Sequence, residues 1–271
     1  MLGCFSGAGK IVSIVGAGSP DNMGQVMARK FAETGATVVV SGRRTEVLMA
    51  LANDIAGDWV ECDFCDRSSI NTMITTIVER HGGIDVAINA TGWGLLTPFC
   101  DTTEEELDRM VDLQFKGPYI WLQRLVEVMS ARQAGNIIQI SSATANIMLD
   151  NHAAYMGTKA GIDHVVRGVA DEYGAKGIRV NSISPGLTAS PMAAPHLETP
   201  GLLESFLKNY PLGRLNTSED IAAAAVFLGS DECYMTGQNL QVNGGLTLRR
   251  NPLPSEIEES VMAAMAAAQA E

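Results

Sequence analysis

Long apolar runs are missing from this sequence, and so is any excess of positive charge. No stretch in its 271 residues approaches the roughly 18 consecutive apolar residues of a membrane span. The opening "MLGCFSGAGK" has neither a basic start nor a long apolar centre. Its "LGC" faintly resembles a lipoprotein cleavage site, but nothing hydrophobic precedes it. The expectation is a cytoplasmic protein without membrane contact. Basic residues are outnumbered, 19 against 31 acidic, and the formal charge of −12 repels a phosphate backbone, so nucleic acid is not expected as a partner. Cysteine is scarce too: the 5 residues at 4, 62, 65, 100 and 233 are odd in number and scattered, which suits a reducing compartment and no disulfide framework. "CDFC" has metal or redox spacing, yet no second Cys or His pair exists to complete a zinc site, and the 4 histidines do not cluster. It reads as structural, and no metal is expected.

What is present is 46% hydrophobic residues in an alternating arrangement. Short apolar runs ("KIVSIV", "TVVVS", "DWVEC", "IDVAIN", "NIIQIS", "IRVNSIS") are separated by stretches of helical period, including a long helix to about Arg132. Alternating buried strands and helices mean parallel strands with right-handed crossovers and helices on both faces. The expected fold is α/β, a doubly wound parallel sheet in one domain over residues 1–248. The remaining tail, 249–271, is either a terminal helix docked on a neighbouring subunit or frayed.

Ligands of such sheets bind at the carboxyl ends of the strands, where strand order reverses. The first strand runs into "GAGSPDNMG", where Gly16, Gly18 and Gly24, with Ser19, Asn22 and Met23, form a turn that lets backbone approach a pyrophosphate at a helix N-terminus. An ordinary strand-to-helix turn is the competing reading. After the second strand a carboxylate would accept hydrogen bonds from an adenine ribose. Here "VVVSGRR" has no acid; Gly42 opens space, and Arg43 and Arg44 offer guanidinium groups suited to a 2′-phosphate, with Asp21 as an opposing charge. Asp63, with Phe64 beside it, follows the third strand where an adenine amino group would sit. Finally, Tyr155 and Lys159 stand one helical turn apart, on one face.

In this order and spacing the Gly-rich turn, "NATG", "ISS", "YMGTK", "RVNSISPG" and the stretch from "PLGRL" to "QVNGG" resemble the short-chain dehydrogenase/reductase family, over about residues 10–248. The resemblance implies a Rossmann-type fold, a nicotinamide cofactor and hydride transfer between a ketone and a secondary alcohol. It makes Tyr155 the general acid or base, with Lys159 lowering the phenol pKa toward working pH and holding the nicotinamide ribose. Ser142 becomes the serine that holds the reacting oxygen, with Ser141 as rival. Asn89, Ala90, Thr91 and Gly92 line the cofactor, as do Pro185, Gly186, Thr188 and Ser190 around the nicotinamide. Arg43 favours NADP(H) over NAD(H). Relatives usually pair their long helices, so a homotetramer, or else a dimer, is expected.

The sequence also departs from the family's pattern. Asn22 replaces the central glycine of a lengthened turn, "NATG" replaces Asn-Asn-Ala-Gly, and Gln114 stands where an asparagine usually holds a relay water. A lid-like segment at about 190–212 and two loops offer apolar walls: Trp93, Phe99, Met148, Leu149, Met192 and Phe206. A bulky, largely apolar carbonyl or alcohol is the expected substrate. Two other readings remain: a cofactor-binding sensor that lost turnover, and an enoyl reductase, which the close Tyr–Lys spacing disfavours.

Overall fold

The computed structural model describes residues 6–190 and 197–270. Its centre is a sheet of seven parallel strands: β1 (Ile11–Val15), β2 (Thr37–Gly42), β3 (Asp58–Glu61), β4 (Val86–Asn89), β5 (Gly135–Ile140), β6 (Ile178–Pro185) and one further strand, Asn239–Val242. A short pair, β7 (Thr188–Ala189) and β8 (Asn216–Thr217), lies apart, so the last strand is β9. The order is β3-β2-β1-β4-β5-β6-β9, and it reverses between β1 and β4. Strands buried on both faces need apolar residues on both, hence runs such as "TVVV" instead of strict alternation. Val38 and Val40 join one core cluster while Val39 joins the other, as a period of two requires.

The cluster containing Val39 packs beneath α3 (Arg67–His81), α5 (Gly117–Arg132) and α6 (Ala153–Tyr173). The opposite one packs beneath α1 (Met23–Glu33), α2 (Thr45–Asp54) and α8 (Ser218–Gly229). Helix starts are written locally. Asn22 caps α1, Asp66 caps α3, and Thr217 with Asp220 forms a capping box on α8. No helix among the described residues is long and apolar enough to cross a membrane.

Two expectations change here. The long helix ending at Arg132 is two helices, α4 (Glu104–Val111) and α5, joined by a π-turn at Asp112–Lys116. Pro118 has no N–H for the Gln114 carbonyl, and the Gly117 N–H reaches back five residues to Asp112. The tail, expected to be either a terminal helix docked on a neighbouring subunit or frayed, is helical and docks within its own chain. It forms α9 (Pro254–Ala270), which packs on α7 (Leu202–Leu207) of its own chain.

Candidate active site

The order reversal brings the turn after β1 against the turn after β4. Gly16 has φ +100°, and a Cβ there would lie 2.6 Å from the Ala90 carbonyl carbon. A Cβ on Gly24 would meet the Gly16 oxygen at 2.7 Å, and one on Gly42 would meet the Gly18 Cα at 3.3 Å. These positions admit only glycine without displacement, and they bring bare backbone to the head of α1. Asn22, in place of a glycine, braces the turn: its side-chain oxygen accepts from the Gln25 N–H at 3.0 Å and its amide donates to the Gly16 carbonyl at 2.8 Å. Met23 opens α1 and packs partly on the core.

At the end of β2 both arginines are exposed. The Arg44 guanidinium crosses to the Ser19 hydroxyl; burial holds the Cys65 thiol above its ordinary pKa, and Arg43 is near enough to oppose that rise in part. A bare glycine cradle, two guanidinium groups and no carboxylate at the end of β2 fit a pyrophosphate with a 2′-phosphate. Asp63 is exposed and accepts from the Cys65 N–H at 3.0 Å.

Several residues expected at the cofactor are used inside the protein. The Phe64 side chain is buried, edge-on to Trp121 with ring centroids 6.1 Å apart, so only its backbone is left to face a ligand. Asn89 is fully buried: it donates to Gln139 at 2.9 Å and accepts from the Thr91 N–H and hydroxyl at 2.9 and 2.7 Å, shaping the turn that carries Ala90, Thr91 and Gly92. Thr188 is also buried, bonded to the Gly186 carbonyl and the Asn216 amide. Pro185 ends β6, and Gly186 leaves room for the Tyr210 hydroxyl, which a Cβ would approach to 2.4 Å. Ser190 is half-buried at the edge of the described segment.

The two adjacent serines after β5 are separated by their partners. Ser141 donates to Asp163 at 2.7 Å, whereas Ser142 caps a 3-10 turn and sits 2.9 Å from the Thr144 hydroxyl. Ser142 also lowers the Tyr155 pKa by hydrogen bonding, so serine and phenol face each other. Burial nevertheless dominates and raises the Tyr155 phenol above its ordinary value. The Lys159 ammonium lies 5.5 Å from the ring centroid and donates to the Ile140 carbonyl at 3.0 Å. It is buried itself, which lowers its pKa to about 8, with Asp163 opposing the shift.

Gln114 sits on the π-turn, buried, and its amide meets the Trp93 N–H, Met110 and the Thr158 hydroxyl. Thr158 precedes Lys159, so Gln114 is directed at the neighbour of Lys159 and bonds to that neighbour instead.

The apolar walls divide. Trp93 is half-buried beneath the Arg109 guanidinium, 4.0 Å from its ring centroid, while Phe99 and Met148 are exposed. Leu149 packs on a third core cluster, and Phe206 is buried within it, so Phe206 is core first and wall at most by its edge. Met192 lies outside the described residues.

Two neighbours of the site were missed. His152 stacks on Tyr155 at 4.2 Å, donates from Nδ1 to the Leu95 carbonyl at 2.6 Å, and is kept neutral by burial. Asp163 accepts from Ser141 and from the Asn239 amide, each at 2.7 Å, and its other oxygen, shielded from solvent, has no hydrogen-bond partner among the described residues. Burial raises its pKa. Asp163 continues the four-residue spacing of Tyr155 and Lys159, a signal already visible in the sequence.

A family model described as Enoyl-(Acyl carrier protein) reductase matches residues 16–247. Borneol dehydrogenase of Lavandula x intermedia is 31% identical over 243 residues, 89% of this chain and 91% of that protein. A short-chain type dehydrogenase/reductase from Mycobacterium ulcerans superposes with a TM-score of 0.89 at 27% identity, covering 95% and 98% of the two chains. A gluconate 5-dehydrogenase from Burkholderia cenocepacia, solved with NADP and tartrate, gives 0.85 at 26% identity over 89% and 96%. With this extent of match around the geometry above, the chain belongs to the short-chain dehydrogenase/reductase family of oxidoreductases.

Proposed function

We propose that this protein interconverts a ketone and a secondary alcohol with NADP(H), and that its substrate is bulky and largely apolar. The observation that carries the reading is the meeting of Ser142, Tyr155 and Lys159 beside a glycine cradle whose β2 edge bears two arginines and no acid. Bound NADP(H) would give a hydride to the carbonyl carbon or take one from the alcohol. Ser142 holds the substrate oxygen by its hydroxyl. Tyr155 delivers the proton to that oxygen in reduction and removes it in oxidation. Burial keeps the phenol protonated at neutral pH, which suits the reductive direction. The Lys159 ammonium offsets charge on the phenolate left behind, because it lies 5.5 Å from the ring centroid and is itself buried.

The gluconate 5-dehydrogenase solved with NADP supports the cofactor choice, and borneol dehydrogenase supports a hydrophobic alcohol. Tyr155→Phe removes only the hydroxyl. It is expected to fold, to bind NADPH as the wild type does, and to lose nearly all turnover across a panel of ketones and alcohols. Wild-type turnover in that variant refutes the mechanism. A wild-type chain that binds NADPH and turns over no carbonyl favours the sensor reading instead.

A further inference from the structure

The family match ends at residue 247, and the chain continues beyond it into a segment that touches both sides of the apolar cluster next to the site. Arg249 donates to the Lys208 carbonyl at 2.8 Å, just beyond α7. Asn251, buried, donates to the Met148 carbonyl at 2.9 Å, in the loop after Ser142. Arg250 and Glu256 pair through two contacts of 2.7 Å, and Glu256 accepts from the Leu253 N–H at 2.8 Å, fixing the entry into α9. Ile257 then packs against the cluster that holds Leu149, Phe206 and Ala143, the neighbour of Ser142. One turn further on, α9 seats on Gly201 so closely that a Cβ there would lie 2.3 Å from the Ser260 carbonyl oxygen.

We infer that residues 249–261 are a substrate-side clamp: they hold α7 against the loop at 146–149 and so set which carbonyl compounds fit beside Tyr155. The physical need is plain. α7 has only six residues, far fewer than a helix needs to persist unaided, and it follows a glycine in the left-handed region. The loop it faces carries an exposed Met148 and contains no regular element. Each is a segment of low local stability unless something outside it adds contacts. The C-terminal segment supplies contacts to both at once, and a wall fixed in this way discriminates by size where a loose one adapts.

The statement about substrate rests on the oxidoreductase reading above; the statement about α7 does not. Removing the whole segment would expose the cluster, so the test uses full-length chains carrying Asn251→Ala with Ile257→Ala, and separately Gly201→Val. Hydrogen exchange of residues 202–210 reports the clamp. NADPH fluorescence reports cofactor binding, and kcat/KM for cyclohexanone and decalone reports selectivity. Exchange in 202–210 is expected to quicken about ten-fold or more, with NADPH affinity within about two-fold. The decalone-to-cyclohexanone ratio of kcat/KM is expected to move at least about three-fold, mainly through KM. Unchanged exchange overturns the clamp, and faster exchange with an unchanged ratio overturns its role in selectivity. Should the wild type reduce neither ketone, the oxidoreductase reading fails for these substrates while the exchange result still decides the clamp.

Discussion

At the scale of single residues, the buried lysine is the most exacting feature. Its folded pKa, about 8, lies below its ordinary 10.5, so between those values the unfolded chain binds more protons than the folded one. Stability therefore rises with pH across that window, relative to a protein with no titrating group there. At about 1.4 kcal/mol per unit, the rise amounts to about 3 kcal/mol for so buried a group. Urea unfolding of the wild type and Lys159→Met at pH 7, 8.5 and 10 should show the wild type gaining on the variant by that order. Parallel pH dependences would contradict the burial of a titrating Lys159. Arg43 is the second residue with a measurable part. If Arg43 makes the proposed contact with a 2′-phosphate, a charge-assisted contact worth about 1.5–3 kcal/mol, Arg43→Ala should reduce the NADPH-over-NADH affinity ratio by about ten- to a hundred-fold. An unchanged ratio would overturn the proposed preference for NADP(H).

At the scale of elements, the π-turn decides where Gln114 points. A regular helix through 112–117 would carry its side chain at another angle, but Pro118 removes the donor that a regular ladder needs. Glutamine reaches one methylene further than asparagine, and here its amide spans from Trp93 on the loop after β4 to Thr158 on α6. We propose that it thereby positions both the loop and a water path to Lys159. Gln114→Ala should slow turnover about ten-fold or more with NADPH affinity nearly unchanged, and Gln114→Asn should retain substantial activity. A wild-type rate for Gln114→Ala from about pH 6 to 9 would reduce Gln114 to a packing residue. α6 shows the same principle in regular form. Tyr155, Lys159 and Asp163 share its face, so one helix presents a phenol, a cation and an anion in a row.

For the whole molecule, the long helices α5 and α6 lie on one side of the sheet, over the same core cluster. The outer surface of α5 carries Tyr119, 45% exposed, and with α3 it lines a hollow that includes Ile120, Gln123 and Arg124. An apolar residue beside a concave, partly charged surface suits twofold pairing of identical copies. The proposed assembly is a homotetramer, or a dimer through this face, and light scattering at micromolar concentration should give a mass of two or four chains. A monomer would refute it. A charge of −12 spread over each copy makes association sensitive to salt, with added salt favouring the assembled form.

Much of this was legible in the sequence because it depends on neighbours along the chain. Alternating apolar runs and helical periods determined the doubly wound sheet; glycine spacing marked the turn after β1, and the four-residue interval put Tyr155 and Lys159 on one face. The missing acid after β2 was equally a local fact. Only the tertiary structure decided matters that depend on which distant surfaces meet. Ser141 and Ser142 are adjacent and chemically identical, and what separates them is Asp163, far along α6, within reach of one hydroxyl. Phe64 and Phe206 read as ligand contacts until Trp121 and the α7 cluster claimed their rings. The tail carried no periodic signal of its partner, because that partner is a glycine and a short helix more than fifty residues earlier. Local spacing is set by covalent geometry, and so it is written in the chain; the burial of one side chain by another is set by packing, and appears only once the chain has closed on itself.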